Sequence, residues 1–180
     1  MMKTTVFILM LGLSALMGFG KNNSTSGSVG LNEEKEKEAI IESINAETAA
    51  FFKRDYEEVI KYFVHTDYAF HAWNNGDGTF SATIGWPAIN EKYRNYIKNN
   101  PVAEGSSSHP KVERRNMIFK FFNPELAFVT WDQYNSDSEK KTFQLSKETR
   151  IMEKQDGLWK IANMTAFWDY KNLIPVESLK

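Results

Sequence analysis

Between residues 32 and 63 the apolar positions return every three to four residues, the period of a helix with one buried side. Asn32 is placed to cap that helix, with Glu33 and Glu34 in the first turn, where carboxylates suit the helix dipole. Ile41, Ile44, Thr48, Phe51 and Phe52 follow at helical spacing and predict one long helix. Asp55 restarts the pattern as a second N-cap, Glu58 completes a capping box, and Tyr56, Val59, Ile60 and Phe63 share a face.

Further along, the pattern turns to runs of aromatic and β-branched residues bounded by turn formers. Tyr68 to Trp73 reads as a strand entering a turn at Asn74-Asn75-Gly76-Asp77-Gly78, and Phe80 to Ile84 is its return. Gly85-Trp86-Pro87 opens a third helix, with Ile89, Tyr93, Tyr96 and Ile97 on one stripe. After a Gly/Ser loop from Asn99 to Pro110, long strands are predicted over Lys111 to Phe122, Leu126 to Asn135 and Thr142 to Lys154. A last strand, Leu158 to Trp168, is reached through Gln155-Asp156-Gly157. This order lacks the βαβ alternation of a parallel sheet. It predicts an α+β domain in which a strongly curved antiparallel sheet carries three helices on its concave face, a cone with a hollow wide end.

The N-terminus changes the picture of where the domain works. Met1-Met2-Lys3, an apolar run from Thr4 to Phe19 and small residues at Gly18 and Gly20 describe a secretory signal, too short for a membrane span. The expected organisation is a signal peptide over 1–20, a flexible tether over 21–31, the domain over 32–170 and a tail over 171–180. The expected location is periplasmic or secreted. The chain has no cysteine, which excludes disulfides and a lipid-attached cysteine. A formal net charge of -1 without a basic block gives no electrostatic footprint for nucleic acid or for an anionic membrane.

Aromatic content is high, with 13 Phe, 7 Tyr and 5 Trp, more than a minimal core requires. Such rings line ligand cavities as well as cores, so a small-molecule ligand is the expected partner. There is no paired-histidine metal helix, no phosphate-cradling Gly-rich loop after a strand and no Gly-x-Ser-x-Gly elbow. No metal and no cofactor is expected.

Glu148-Thr149-Arg150-Ile151, then Asp156-Gly157-Leu158-Trp159-Lys160-Ile161, is similar in residue and spacing to the final hairpin of the association domain of calcium/calmodulin-dependent protein kinase II. Gln133-Tyr134 on the preceding strand also fits that domain. The element order from Glu34 to Trp168 resembles the nuclear-transport-factor-2-like superfamily, cystatin-like in fold, which also includes ketosteroid isomerase and SnoaL-like cyclases. The resemblance implies that one face of the last strand is a cavity wall, and regular alternation puts Trp159, Ile161, Asn163 and Thr165 on that face.

Arg150 matches a pocket arginine of the kinase association domain, which implies a fixed cation for a carboxylate or phosphate ligand. The alternative is an internal ion pair with Glu148 or Asp132. The chain departs from that domain where its other two pocket arginines fall on Thr130 and Ala166 and its histidines on Asn163 and Thr165. Ketosteroid isomerase carries a base carboxylate on its first strand. The matching stretch here, Phe70-His71-Ala72-Trp73, offers only His71, either a base or a histidine held within an aromatic wall. Asp132, on the side of Thr130, is a candidate acid. Trp73, Trp86, Tyr93 and Trp131 are candidates to close around an apolar or ring-shaped ligand, or ordinary core. His65 is expected to cap or lie at the surface, and His109 to lie in the loop.

Three readings follow. The first is a domain that binds a small organic molecule in its cone. The second is a SnoaL-like lyase or isomerase with His71 as base and Arg150 or Asn163 steadying an oxyanion. The third is a homodimeric module built on the outer sheet face.

Overall fold

The computed structural model describes residues 32–102 and 110–179. The expected signal peptide, the tether and His109 lie outside the described residues. Helix α1 (Glu33–Lys53) starts where the Asn32 side chain accepts the Lys35 N–H at 3.2 Å. It stops at Arg54, whose left-handed backbone turns its own N–H back onto the carbonyls of Ala50 and Phe51. Helix α2 (Tyr56–Val59) starts on Asp55, which accepts the Glu58 N–H at 3.0 Å, and runs into a 3-10 turn over Ile60–Tyr62. Helix α3 (Trp86–Asn99) has its proline in the first turn. Among the described residues no helix is long and apolar enough to cross a membrane.

The buried stripe of α1 is Ile40, Ser43, Ile44, Glu47 and Ala50, with Ile41 only half-buried. The stripe is thus rotated by about one residue from the expected one, and it includes a carboxylate.

The strands are β1 (Phe70–Asn74), β2 (Phe80–Ile84), β3 (Val112–Asn123), β4 (Leu126–Ser136), β5 (Thr142–Gln155) and β6 (Leu158–Pro175). They form one open sheet in the order β2-β1-β6-β5-β4-β3. β3 to β6 make an antiparallel meander whose last turn is Asp156–Gly157, both at positive φ, as a two-residue hairpin requires. β1 joins that meander beside β6 and parallel to it, so the sheet is mixed at this one junction. Residue alternation reports which face is buried; it carries no information on the direction of a neighbour recruited from elsewhere in the chain.

Two features of β6 matter for everything downstream. It runs past Trp168, and Leu173, Ile174 and Pro175 pair with Gln144, Phe143 and Thr142, so residues 171–175, expected in the tail, belong to the sheet. It also carries one residue more than β5 between the pairs Met152↔Ile161 and Ile151↔Asn163. The extra residue is Ala162, which is buried. A bulge of this kind bends the strand and exchanges its faces. Directly paired residues share a face, so Met164 and Ala166 stand with Arg150 and Glu148 on the concave side. Asn163 and Thr165 stand with Ile151 and Thr149 on the convex side.

The core fills the concave side. Ile40 and Ile44 of α1, Phe63, Trp131, Met152 and Trp159 belong to one buried apolar cluster between helices and sheet. Deleting Ala162 forces the strand either to carry Asn163 and Thr165 into that core or to lose pairing at one end. The expected outcome is a loss of at least about 2 kcal/mol in unfolding free energy, measured by urea denaturation; a change under about 0.5 kcal/mol would show that the bulge is dispensable.

Candidate functional site

β5 presents Ser146, Glu148 and Arg150 to the interior at successive inward positions. Arg150 is 6 % exposed and Glu148 2 %. The Arg150 Nη1 group donates to Glu148 Oε2 at 2.9 Å and to the Thr149 carbonyl at 2.9 Å, and Ser146 Oγ donates to Glu148 Oε1 at 2.6 Å. The guanidinium carbon lies 4.9 Å from the centre of the Trp131 ring, a cation held on an aromatic face. Of the two fates considered for Arg150, the internal ion pair is formed, and its partner is Glu148. The pair does not use the whole guanidinium: Nε is buried with no hydrogen-bond partner.

Two further charges face the same interior. Arg114 of β3 donates from Nη1 to Asn45 Oδ1 and from Nη2 to Thr48 Oγ1, both at 2.7 Å, and its buried Nε is unpartnered. Glu47 of α1 is 7 % exposed. Its one hydrogen-bond contact is Thr48 Oγ1 at 3.3 Å, a hydroxyl better placed to donate to the Ile44 carbonyl at 2.9 Å. Burial pushes the Glu47 carboxyl above the ordinary carboxylate range, against the pull of Arg150 and Arg114.

A recess lies where the β1–β2 hairpin meets α3. It is lined by His71, Trp73, Thr83, Ile89, Lys92 and Tyr93 and has a volume of about 20 Å³. That is room for one or two water molecules; pockets for drug-sized molecules run to about 300–1,000 Å³. Lys92 Nζ donates to Thr83 Oγ1 at 2.6 Å and lies 5.7 Å from the Trp73 ring centre, so it ties α3 to the hairpin across the recess. His71 is packed among rings, with centroids 4.9 Å from Phe63 and 5.8 Å from Tyr93. Its pKa is pushed down to about 3, first by burial and then by the charges of Arg150 and Lys92. At neutral pH it is an uncharged imidazole. The Tyr93 hydroxyl is pushed well up, by burial and by Glu47.

The structure brings His71, Trp73, Tyr93, Trp131 and Arg150 to the concave side. It does not bring Thr130, Asp132, Asn163 or Thr165 there. Thr130 pairs with Thr149 and Thr149 with Thr165 in one outward row, and Asn163 pairs with the outward Ile151. Asp132 is bound on the convex side by Lys147 and by Asn116 Nδ2, the latter at 2.8 Å, and these bonds hold its pKa down. His71, Asp132 and Arg150 therefore do not converge. Trp86 is a packing residue, stacked on His65 at 4.0 Å and on Phe63 at 6.1 Å. His65 caps the 3-10 turn, with Nε2 2.9 Å from the Ile60 carbonyl.

Sequence reasoning missed Glu47, Arg114, Ser146 and Lys92. For Glu47 a signal existed: it stands three residues after Ile44 and four before Phe51, a charged residue on an apolar stripe. The inward position of Arg114 depends on strand register, and no local signal marks it.

No family model and no curated protein matches the sequence. Solved structures do match in fold. The association domain of C. elegans CaMKII superposes with a TM-score of 0.56 at 15% identity, covering 74% of this chain and 96% of that one. An NTF-2 like protein of unknown function from Shewanella oneidensis MR-1 gives a TM-score of 0.54 at 17% identity, covering 73% of this chain and 98% of that one. A putative scytalone dehydratase from Novosphingobium aromaticivorans gives 0.54 at 13% identity, covering 76% of this chain and 86% of that one. The fold is the nuclear-transport-factor-2-like, cystatin-like cone.

The two perturbed interior groups make a pH prediction. The folded pKa of His71 lies below its unfolded value of about 6.5, so stability is lost as pH falls from there through about 3. The folded pKa of Glu47 lies above its unfolded value of about 4.3, so stability is lost as pH rises from there through the folded value. Below about pH 4.3 the His71 slope acts alone and contributes up to about 1.4 kcal/mol per pH unit; just above 4.3 the Glu47 slope opposes it. Urea midpoints measured from pH 3 to 7 are expected to fall toward acid, with a shallower acid limb in His71→Asn; an unchanged acid limb in that variant would refute the assignment.

Proposed function

We propose that the chain is an exported small-molecule binding module that holds a compact organic acid inside its cone. The observation that carries this reading is the half-engaged guanidinium of Arg150. Its Nη1 is committed to Glu148 and its face to Trp131, while its Nε, one of the donors with which a guanidinium grips a carboxylate, is buried with no hydrogen-bond partner among the described residues. The recess at His71, on the same side of the sheet, sets the size class. A ligand larger than a few heavy atoms enters only if Lys92 lets go of Thr83 and Trp73. Export, to the periplasm or outside the cell, rests on the signal-like pattern of residues 1–20.

The lyase or isomerase reading has less behind it. His71 has no carboxylate to orient it, and the candidate acid Asp132 is on the other side of the sheet. In thermal-shift assays, saturating acetate, propionate or benzoate is expected to raise the melting temperature by about 2–4 °C. Arg150→Lys, which keeps the charge and removes the planar edge, is expected to abolish the shift. No shift from any small carboxylate would defeat the reading.

The convex face supports assembly into a homodimer. Ile118, Thr130, Thr149, Thr165, Ala72 and Ala82 form one row across all six strands, and Phe128, Ile151, Asn163, Phe70 and Ile84 form the next. Ile118, Phe167, Ile84 and Phe80 are all more than 60 % exposed. Six strands about 4.8 Å apart make a face roughly 25 Å wide, a scale that suits the about 800 Å² per partner of a standard interface. A net charge of -1 offers little self-repulsion, and the match to a kinase domain named for association supports the same partner, a second copy. Light scattering at micromolar concentration is expected to give twice the monomer mass, and Phe167→Asp to give the monomer; a wild-type monomer would reject the dimer.

A further inference from the structure

The tip of the β1–β2 hairpin carries a chemistry of its own, apart from the interior groups and the convex face. Asn75-Gly76 is the single Asn-Gly pair in the sequence, and it stands in the turn, with Asn75 half-buried and Gly76 exposed. Asparagine before glycine is thermolabile for a steric reason: with no Cβ on the following residue, that residue's backbone nitrogen can swing onto the asparagine Cγ. The Gly76 N–H makes no hydrogen bond among the described residues, so nothing ties that nitrogen elsewhere. Packing also fixes the glycine. A Cβ at 76 would come within 3.2 Å of the Tyr170 ring, whose hydroxyl donates to the Asn74 carbonyl at 3.1 Å. The fold therefore keeps the residue that makes Asn75 reactive.

Asn75 heads a relay of hydrogen bonds. Its Nδ2 donates to Thr79 Oγ1 at 2.9 Å and to Ser81 Oγ at 3.4 Å, and Thr79 Oγ1 donates in turn to Asp77 Oδ1 at 2.6 Å. This arrangement needs a donor at residue 75. A carboxylate there only accepts, and the Thr79 hydroxyl has a single proton to share between two acids.

We propose that Asn75 is a site of spontaneous deamidation, with water as co-reactant, and that the product unties the tip of the hairpin. The Gly76 nitrogen attacks Asn75 Cγ, the new N–Cγ bond closes a succinimide ring, and Nδ2 leaves as ammonia with the proton given up by Gly76. Water then opens the ring at either carbonyl. Breaking the N–Cγ bond restores the main chain with aspartate at 75, whereas breaking the bond to the α-carbonyl carbon leaves the chain running through Cγ as isoaspartate. In both cases an amide and a water become a carboxylate and ammonium, nothing is oxidised or reduced, and the chain adds one negative charge to its formal net of -1. In isoaspartate the carbonyl that accepts the Gly78 N–H at 3.1 Å leaves the main chain and becomes part of a free carboxylate. Both products set a second acid beside Asp77. The strand pair that loosens is the one presenting Trp73 and Thr83 to the recess.

The purified protein, held in mildly alkaline buffer beside a synthetic peptide of residues 70–80, is sampled over time, digested with trypsin and sequenced by mass spectrometry. In the fragment from Tyr62 to Lys92, residue 75 is expected to gain the mass of an amide-to-acid exchange, isoaspartate exceeding aspartate, while Asn74 and Asn90 stay intact. The rate in the folded protein is expected to lie within about thirtyfold of the peptide's, the weight of two ordinary hydrogen bonds on Nδ2. The aged wild type and fresh Asn75→Asp are each expected to melt about 2–4 °C below the fresh wild type, and Asn75→Gln to melt the same before and after ageing. Conversion slower than that bound, or at Asn74 or Asn90 in place of residue 75, overturns the site. A wild type that is converted and melts as before overturns the untying of the hairpin, and that measurement stands whether or not the variants fold.

Discussion

A guanidinium taken out of water must find negative charge nearby, and in this fold the pairing of Arg150 with Glu148 meets that demand within a single strand. Positions two apart on β5 point the same way, so the strand itself delivers both members of the pair to the interior. Ser146, two positions further back, supplies the second hydrogen bond to the carboxylate, and Trp131 on the neighbouring strand supplies the face on which the cation rests. Bridging two layers would require both to be fixed first. Here the charge is neutralised locally, and the helices pack against a wall that is already electrically satisfied on one side of the guanidinium.

What remains unsatisfied is equally specific. The free nitrogens of Arg150 and Arg114 and the lone carboxyl of Glu47 sit on β5, β3 and α1, three elements that meet only when the cone is closed. Local geometry settles the pair on β5, while the remainder depends on tertiary packing. Paired and unpaired polar groups thus separate inside one buried cluster. The recess at His71 is different in kind: its walls are rings, and its histidine is held uncharged by burial, which makes it a packing element more than a proton carrier.

Much of the architecture was legible from the chain. The caps at Asn32 and Asp55, the Trp86-Pro87 helix start and the Asp156-Gly157 hairpin are local devices, and local devices can be read without coordinates. The resemblance of Glu148 to Ile161 led to the right fold. The facing of individual residues was less legible, because strand parity accumulates along a strand and a single inserted residue reverses it. Asn163 and Thr165 were assigned by counting on from Trp159, and Ala162 offers no signal that the count should stop. Thr130 and Asp132 failed for a related reason, since their inward placement assumed the wrong parity for β4. Arg150, His71 and Trp73 face the interior on strands that alternate regularly through the site, and Trp131 takes the inward position on β4 between Thr130 and Asp132. Glu47 was passed over because apolar counting skips charged residues, even where the stripe demands an occupant.

The bulge at Ala162 also divides labour along β6. Before it, the strand contributes Trp159 and Ile161 to the inside; beyond it, neighbouring positions serve opposite surfaces, with Met164 and Ala166 on the concave side and Asn163, Thr165 and Phe167 on the convex side. Because the two sets face opposite ways, mutation can rewrite the convex surface of this segment while leaving the interior unaltered, and the reverse. A one-residue insertion thereby gives the two surfaces independent histories, so that one can drift in sequence while the other stays fixed.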